Sequence, residues 1–470
     1  MVDLTIGASS AKLTRRDLLR ALAAVGAGLA MGACAAPQSQ PTQPAKLADA
    51  PKAEIQPAET KAQAATQPAT AAPATKGAVT VVFWGHNSQQ SVDAYKANIP
   101  LFEKKYPSIK IDYQIKAGNE YAQLVLTAMA ANNAPDVFRV GDWQILEYIR
   151  DKAVRPLAPE AFEAKDANEV LTKWFSPSFP KKFLVDNGLY AVPEDVAGLL
   201  LLANMDVLNE AGIDKFPDTV DKIIEAAKKG TKSESGRWVR SGFEWYYNHE
   251  LWETEQFSHL IRTFGGSIYD QDAKLVMDKG DAALKALTYY FDTIFTWKVS
   301  NPAFALTFGQ PTPTHFETAN SVLHPAGSFK IPSIKNAGKI KKWDSGLWRT
   351  GPQDHVLAWA WSLGLSAASK VPLEASQWIA FLQSPEAVEN RGKIGGAMAP
   401  VKDIEKTEFV KQTPALQNWV KLGASARYQD PYPSYPKVSK SIAKMMQSVA
   451  QSGVKPADAL EQCFKELRAI

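Results

Sequence analysis

Two hydrophobic periods alternate between Val79 and Val140, and that alternation restricts the fold more than any other feature of the chain. Val79 to Trp84 is an apolar run of strand length. Val92, Tyr95, Ile99, Phe102 and Tyr106 then recur at spacings of three and four, which is one face of a helix. Asn87 is placed to cap that helix, with Gln90 three residues on, and Pro100 predicts a kink. Ile109, Ile111, Tyr113 and Ile115 alternate strictly, as in a half-buried strand. Tyr121, Leu124, Val125 and Ala128 mark a second amphipathic helix. Asp136 to Val140 reads as a buried strand that ends at Gly141-Asp142-Trp143. Strand, helix, strand, helix, strand in this order predicts α/β layers built on a parallel sheet with right-handed crossovers.

The sequence before this body is of another kind. Thr14-Arg15-Arg16-Asp17-Leu18-Leu19-Arg20 precedes an apolar, small-residue stretch from Ala21 to Ala33, the layout of an export signal. Paired arginines before leucines resemble a twin-arginine signal. The stretch is too short for a bilayer core that needs roughly 20 apolar residues. Met31-Gly32-Ala33-Cys34 looks like a lipobox, with methionine where leucine is usual, so Cys34 is the expected lipidation site and ordinary cleavage the alternative. Residues 1–34 are therefore read as signal and 35–77 as a tether. The tether is Ala, Pro, Gln and Thr with scattered charges, and no aromatic residue occurs before Phe83. Such a composition buries too little apolar surface to offset ordering, and a flexible coil of that length reaches about 35 Å.

Cys34 and Cys463 are the only cysteines. With Cys34 carrying lipid, no internal disulfide forms, and stability must come from a large core. The body after the tether is too long for one core, so two domains are expected. Loss of residues 1–33 lowers the formal net charge from +4 to about +2. With no basic run in the body, nucleic acid is not an expected partner.

The body resembles the extracellular solute-binding proteins of ABC importers, in the sugar-binding group (family 1). The resemblance rests on an ordered series: the segment Gly188–Lys229 with Asn204-Met205-Asp206, Ala211-Gly212 and Pro217-Asp218-Thr219; the turn Phe264-Gly265-Gly266; the late strand and helix Trp361–Gly392; and the closing turn Gly395–Pro400. It departs from the family at Gly327-Ser328-Phe329, where a Gly-x-Trp is frequent. The resemblance implies a two-lobed periplasmic-binding-protein-like fold with parallel-sheet lobes joined by crossover strands and a ligand cleft between them. The crossovers are expected near Val192–Val196, near Asn320–Ala326 and after Val356–Ala367. That puts 78–193 plus 322–372 in an N-terminal lobe and 194–321 plus 373–470 in a C-terminal lobe. It further implies a monomer that takes a sugar or oligosaccharide to ABC permease subunits, exported and tethered to the outer face of the bacterial cytoplasmic membrane.

Ligands of open parallel sheets sit beyond the carboxyl ends of strands. Sugars offer apolar C–H faces to aromatic rings and hydroxyls to carboxylates, amides and arginines. The candidate ligand-binding residues are those types at predicted strand ends: Trp84, His86, Asp142, Trp143, Asp195, Trp245, Tyr246, Gly327, Ser328, Trp359, Trp361 and Arg427. Each also has a plain structural reading, as core, cap or solvated residue. Trp359 and Trp361, two apart on a strand, face one side. The six histidines form no H-E-x-x-H and no zinc spacing with cysteine, and neither a G-x-S-x-G elbow nor a phosphate loop is present. No cofactor, metal or catalytic residue is expected. The competing readings are a secreted, tethered carbohydrate hydrolase, which needs only two carboxylates, and a sensor ectodomain.

Overall fold

The computed structural model describes residues 78–116, 121–131, 133–177, 179, 181–247, 249–307, 315–423, 426–429 and 431–470. The export signal, Cys34 and the tether lie outside the described residues. The predicted alternation forms as read: strand Val79–His86, helix Gln89–Lys105, strand Ile109–Lys116, helix Tyr121–Ala130, strand Val137–Gly141. The first helix is capped by Ser88 rather than Asn87, and it runs through Pro100.

These three strands are mutually parallel, with Val79–His86 in the middle. The sheet they begin is nonetheless mixed. Its backbone path runs from Arg427–Tyr428 through Leu357–Ser366, Val137–Gly141 and Val79–His86 to Ile109–Lys116, with Val154–Arg155 and Ala191–Gly198 also paired to Leu357–Ser366. Leu357–Ser366 is antiparallel to Val137–Gly141 and to Ala191–Gly198. The long strand arrives from the other lobe rather than over a crossover helix, so it enters in the opposite direction. A second sheet has the order Trp343–Gly346, Leu200–Asn204, Ser321–Ala326, Arg237–Phe243, Lys232–Glu234. Only Arg237–Phe243 and Ser321–Ala326 are parallel there.

Each sheet has its own core. Around the first pack Phe83, Tyr95, Phe102, Val137, Phe138, Trp378 and Trp419; around the second pack Phe243, Trp245, Phe257, Tyr290, Trp348, Met446 and Val449. The chain passes between them at Gly198–Leu200 and again between Gly346 and Leu357.

The lobe division differs from the expected one in two places. Ser321–Ala326 is a fully buried strand inside the second sheet, not a crossover into the first. The helices Pro372–Phe381 and Pro385–Gly395 cover the first core, not the second. Both segments are apolar enough to cover either sheet, so the choice rests on pairing partners distant in sequence. The last two helices, Tyr435–Ser452 and Pro456–Leu467, do cover the second core and bury Cys463 there as a free thiol.

Candidate functional site

A cavity of about 170 Å³ opens between the two sheets. His86, at the carboxyl end of the first strand, lines it together with Ser88, Gln90 and Ser91 from the start of the following helix. Arg139, Glu194, Asp195 and Arg391 supply its charges. Trp252, Phe329, Trp359 and Trp361 supply its aromatic walls. The position, beyond strand ends and between two α/β layers, is where such sheets bind ligands.

A bulge aims the two carboxylates. Along the pair Leu357–Ser366 and Ala191–Gly198, Trp361 faces Asp195 but Ser362 faces Pro193, which leaves Glu194 as the extra residue. Neighbours on a regular strand point to opposite faces. A bulge breaks that rule and re-aims one side chain. Glu194 and Asp195 both reach the cavity for this reason.

Glu194 is 2% exposed and serves as a hub. Its carboxylate accepts from Arg139 Nε and from the Tyr95 hydroxyl. Arg391 Nη1 lies 3.7 Å from Oε2 and donates to the Glu194 carbonyl at 2.6 Å; its Nη2 donates to the Leu382 carbonyl at 2.6 Å. Burial works against the Arg139 charge, but Glu194 and Tyr95 outweigh it and lift the guanidinium above its usual range. Arg391 shifts the other way, because burial outweighs the same carboxylate. Asp195 Oδ1 accepts from the Met398 N–H at 3.0 Å, and burial pushes its carboxyl up to about 6. Burial, with the Arg139 charge, pushes His86 down to about 2, so its ring is neutral. His86 Nδ1 accepts the Ser88 N–H at 3.2 Å, which leaves the ring proton on Nε2.

The aromatic walls are braced from behind. Trp361 meets Trp143 at 5.0 Å and His86 at 5.2 Å, with the Arg139 guanidinium 4.9 Å over its ring. Trp252 stacks on Tyr246 at 4.6 Å and touches Trp359 and Phe329 edgewise or at a tilt. Gly141 makes room for Trp143: a Cβ there would sit 2.4 Å from the indole.

Of the twelve candidates, His86, Asp195, Trp359 and Trp361 come together in this cavity. Three stand one layer behind it. Trp143 and Tyr246 support its rings. Asp142 is 1% exposed and committed to Lys182 Nζ at 2.7 Å and the Ala360 N–H at 2.8 Å. The other five lie elsewhere. Trp84 lies under Lys116 Nζ at 4.0 Å and bonds Gln114. Trp245 is 1% exposed in the second core and donates to Thr293 Oγ1. Gly327 caps a short helix and Ser328 is buried, while their neighbour Phe329 reaches the cavity. Arg427 is an exposed edge residue whose backbone N–H pairs with Val356.

Tyr95, Arg139, Trp252 and Arg391 were not among the candidates. Arg139 left a signal, as the one charge inside the fully buried strand Val137–Gly141. Trp252 and Arg391 sit within helices and left none.

Comparison with known proteins agrees with this architecture. A diacetylchitobiose binding protein, DasA of Streptomyces coelicolor, is 26% identical over 200 residues, which span 42% of this chain and 43% of that relative. The maltose-bound MalE3 of T. maritima superposes with a TM-score of 0.72 at 22% identity, covering 83% of this chain and 99% of that one. UgpB of Mycobacterium tuberculosis, in complex with glycerophosphocholine, gives a TM-score of 0.71 at 18% identity over 84% and 98%. The family model of the bacterial extracellular solute-binding proteins matches residues 85–389. By that match, and by two sheets facing each other across a ring-lined cavity, the chain belongs to the bacterial extracellular solute-binding proteins.

Proposed function

We propose that the protein captures a carbohydrate outside the cytoplasmic membrane and hands it to an ATP-driven permease. In this reading Cys34 carries the lipid that holds the chain at the membrane. The observation that carries the proposal is the cavity wall, where Trp361, Trp359, Trp252 and Phe329 surround a rim of buried, hydrogen-bonded charges. Rings suit the C–H faces of a sugar, and guanidinium and carboxylate groups suit its hydroxyls. The diacetylchitobiose-binding and maltose-bound relatives support the same ligand class. Closure of the lobes on ligand would present the permease with the loaded form.

The hydrolase alternative is less favoured by the geometry. A glycosidase sets two carboxyl groups on either side of the scissile bond, roughly 5 Å or more apart. The two carboxylates lining this cavity are adjacent on one strand, and Glu194 is already engaged by Arg139 and Tyr95.

Titration calorimetry and tryptophan fluorescence with a panel of mono- and oligosaccharides test the proposal. Saturable binding, with the sugar recovered unaltered, is expected. No sugar binding, with a peptide or polyamine binding instead, would refute it. Metabolic labelling with a radioactive fatty acid tests the anchor: wild type is expected to take up label, and Cys34→Ala is expected not to.

A further inference from the structure

The hydrogen-bonding groups around the cavity are unevenly divided. The carboxylate of Glu194 is occupied by Arg139 Nε and Tyr95, and its carbonyl by Arg391. Asp195 gives Oδ1 to Met398, which leaves Oδ2 as the free carboxylate acceptor. The donors are far less spent. Among the described residues Arg139 hydrogen-bonds only through Nε, which leaves its two terminal amino groups. Among the described residues Arg391 Nε is buried without a hydrogen-bond partner, in a residue 3% exposed that lines the cavity. His86 offers its Nε2–H.

The helix Gln89–Lys105 adds more donors. It is 17 residues long and its first turn borders the cavity through Ser88, Gln90 and Ser91. Ser88 makes no side-chain capping bond, and no acidic residue stands in the first turn. Neither a Ser88 side-chain cap nor a first-turn carboxylate offsets the partial positive charge of this helix start on the side that meets the cavity. A neutral polyol brings as many O–H donors as acceptors, and besides the Ser88 and Ser91 hydroxyls and the Gln90 amide oxygen it would find Asp195 Oδ2 as its carboxylate acceptor. An anion brings acceptors alone, which is what two guanidinium groups and a bare helix start lack.

We propose that the ligand is an acidic sugar: a ring bearing a carboxylate or phosphate. Its anionic group docks between Ser88–Ser91, Arg139 and Arg391, and its ring lies against Trp361 and Trp359. This rests on the carbohydrate reading and narrows it.

The test is calorimetry on the full chain with D-glucuronate, D-galacturonate, glucose 1-phosphate and glucose 6-phosphate, each beside its neutral parent hexose. At least one acidic probe is expected to bind about tenfold or more tighter than its parent. The uronate and phosphate arms tell the two anions apart. Equal or tighter binding of the neutral parents overturns this inference and leaves the carbohydrate reading standing. Silence from every acidic and neutral sugar overturns both.

Two variants give the mechanism a sign. Gln90→Glu places a carboxylate where it favours the helix, so folding is retained, yet it is expected to weaken the acidic probe about tenfold and its parent far less. Asp195→Asn, near-isosteric, is expected to tighten the acidic probe and weaken the neutral one. An acidic probe indifferent to Gln90→Glu, or weakened by Asp195→Asn, would overturn the docking assignment.

Discussion

The two lobes bury acids in opposite ways. In the first, Glu194 sits between Arg139, Arg391 and Tyr95, with donors on both oxygens. In the second, Glu253 and Glu255 are wholly buried on the helix Glu250–Thr263 and, among the described residues, make no ion pair with lysine or arginine. Burial drives both well above the usual carboxylate range, with the Asp142 charge adding to the effect at Glu255. Glu244 is intermediate. Burial pushes it up to about 7 although His315 N–H, Phe316 N–H and Ser321 Oγ donate to it. The first lobe holds Glu194 between cations; the second leaves Glu253 and Glu255 without one, and burial there favours the protonated form. The cavity takes its paired charges from the first lobe and rings from both.

Removal of the Glu194 hub has the largest expected effect. Glu194→Ala leaves two buried guanidinium groups without their anion and is expected to cost about 3–5 kcal/mol in chemical denaturation. Trp245→Ala, in the second core, is expected to cost about the same through its cavity, and through stability rather than ligand contact. If Trp245→Ala lowers affinity in a protein of unchanged stability, the placement of the site is wrong.

The next effect concerns pH. Glu244 in the folded protein holds its proton up to about 7, against an ordinary 4.5. Between those values the native state binds more protons than the unfolded one, so this group makes stability fall as pH rises. Thermal unfolding of wild type and Glu244→Gln from pH 4.5 to 7 should differ in slope, by about 1–3 kcal/mol across the window. Asp195 acts with the same sign between its ordinary 3.8 and about 6. Parallel curves for wild type and Glu244→Gln would show that the second lobe keeps its charge after all.

Trp361→Ala is expected to weaken ligand binding about 10- to 100-fold, the loss of a ring worth about 1.5–3 kcal/mol of covered apolar surface. Glu255→Gln puts a neutral amide where burial already favours the protonated acid, and stability is expected to shift by less than about 1 kcal/mol. A loss as large as that of Glu194→Ala would mean that Glu255 is charged and paired.

How much of the site was legible follows from how far apart its parts lie. His86 ends a strand, Asp195 stands on the predicted crossover, and Trp359 and Trp361 share a strand, so local pattern placed all four among the candidates that line the cavity. Trp143 and Trp245 have the same local signature, yet one stands behind the ring wall and the other in the core. Trp252 and Arg391 lie 166 and 305 residues from His86 along the chain, and nothing near them in sequence marks a cleft.

The hydrophobic periods were present in the sequence alone, and through them the strands and helices that open the first lobe and the expectation of two cores. Periodicity acts over a few residues, and those features are decided at that range. Long-range packing set the rest: Leu357–Ser366 returns antiparallel, Ser321–Ala326 joins the second sheet, and a bulge turns Glu194 toward Arg139 and Arg391. Each of these depends on which distant partner satisfies a backbone edge or a buried charge. That choice is made by the whole core competing at once, and no short window of residues contains it.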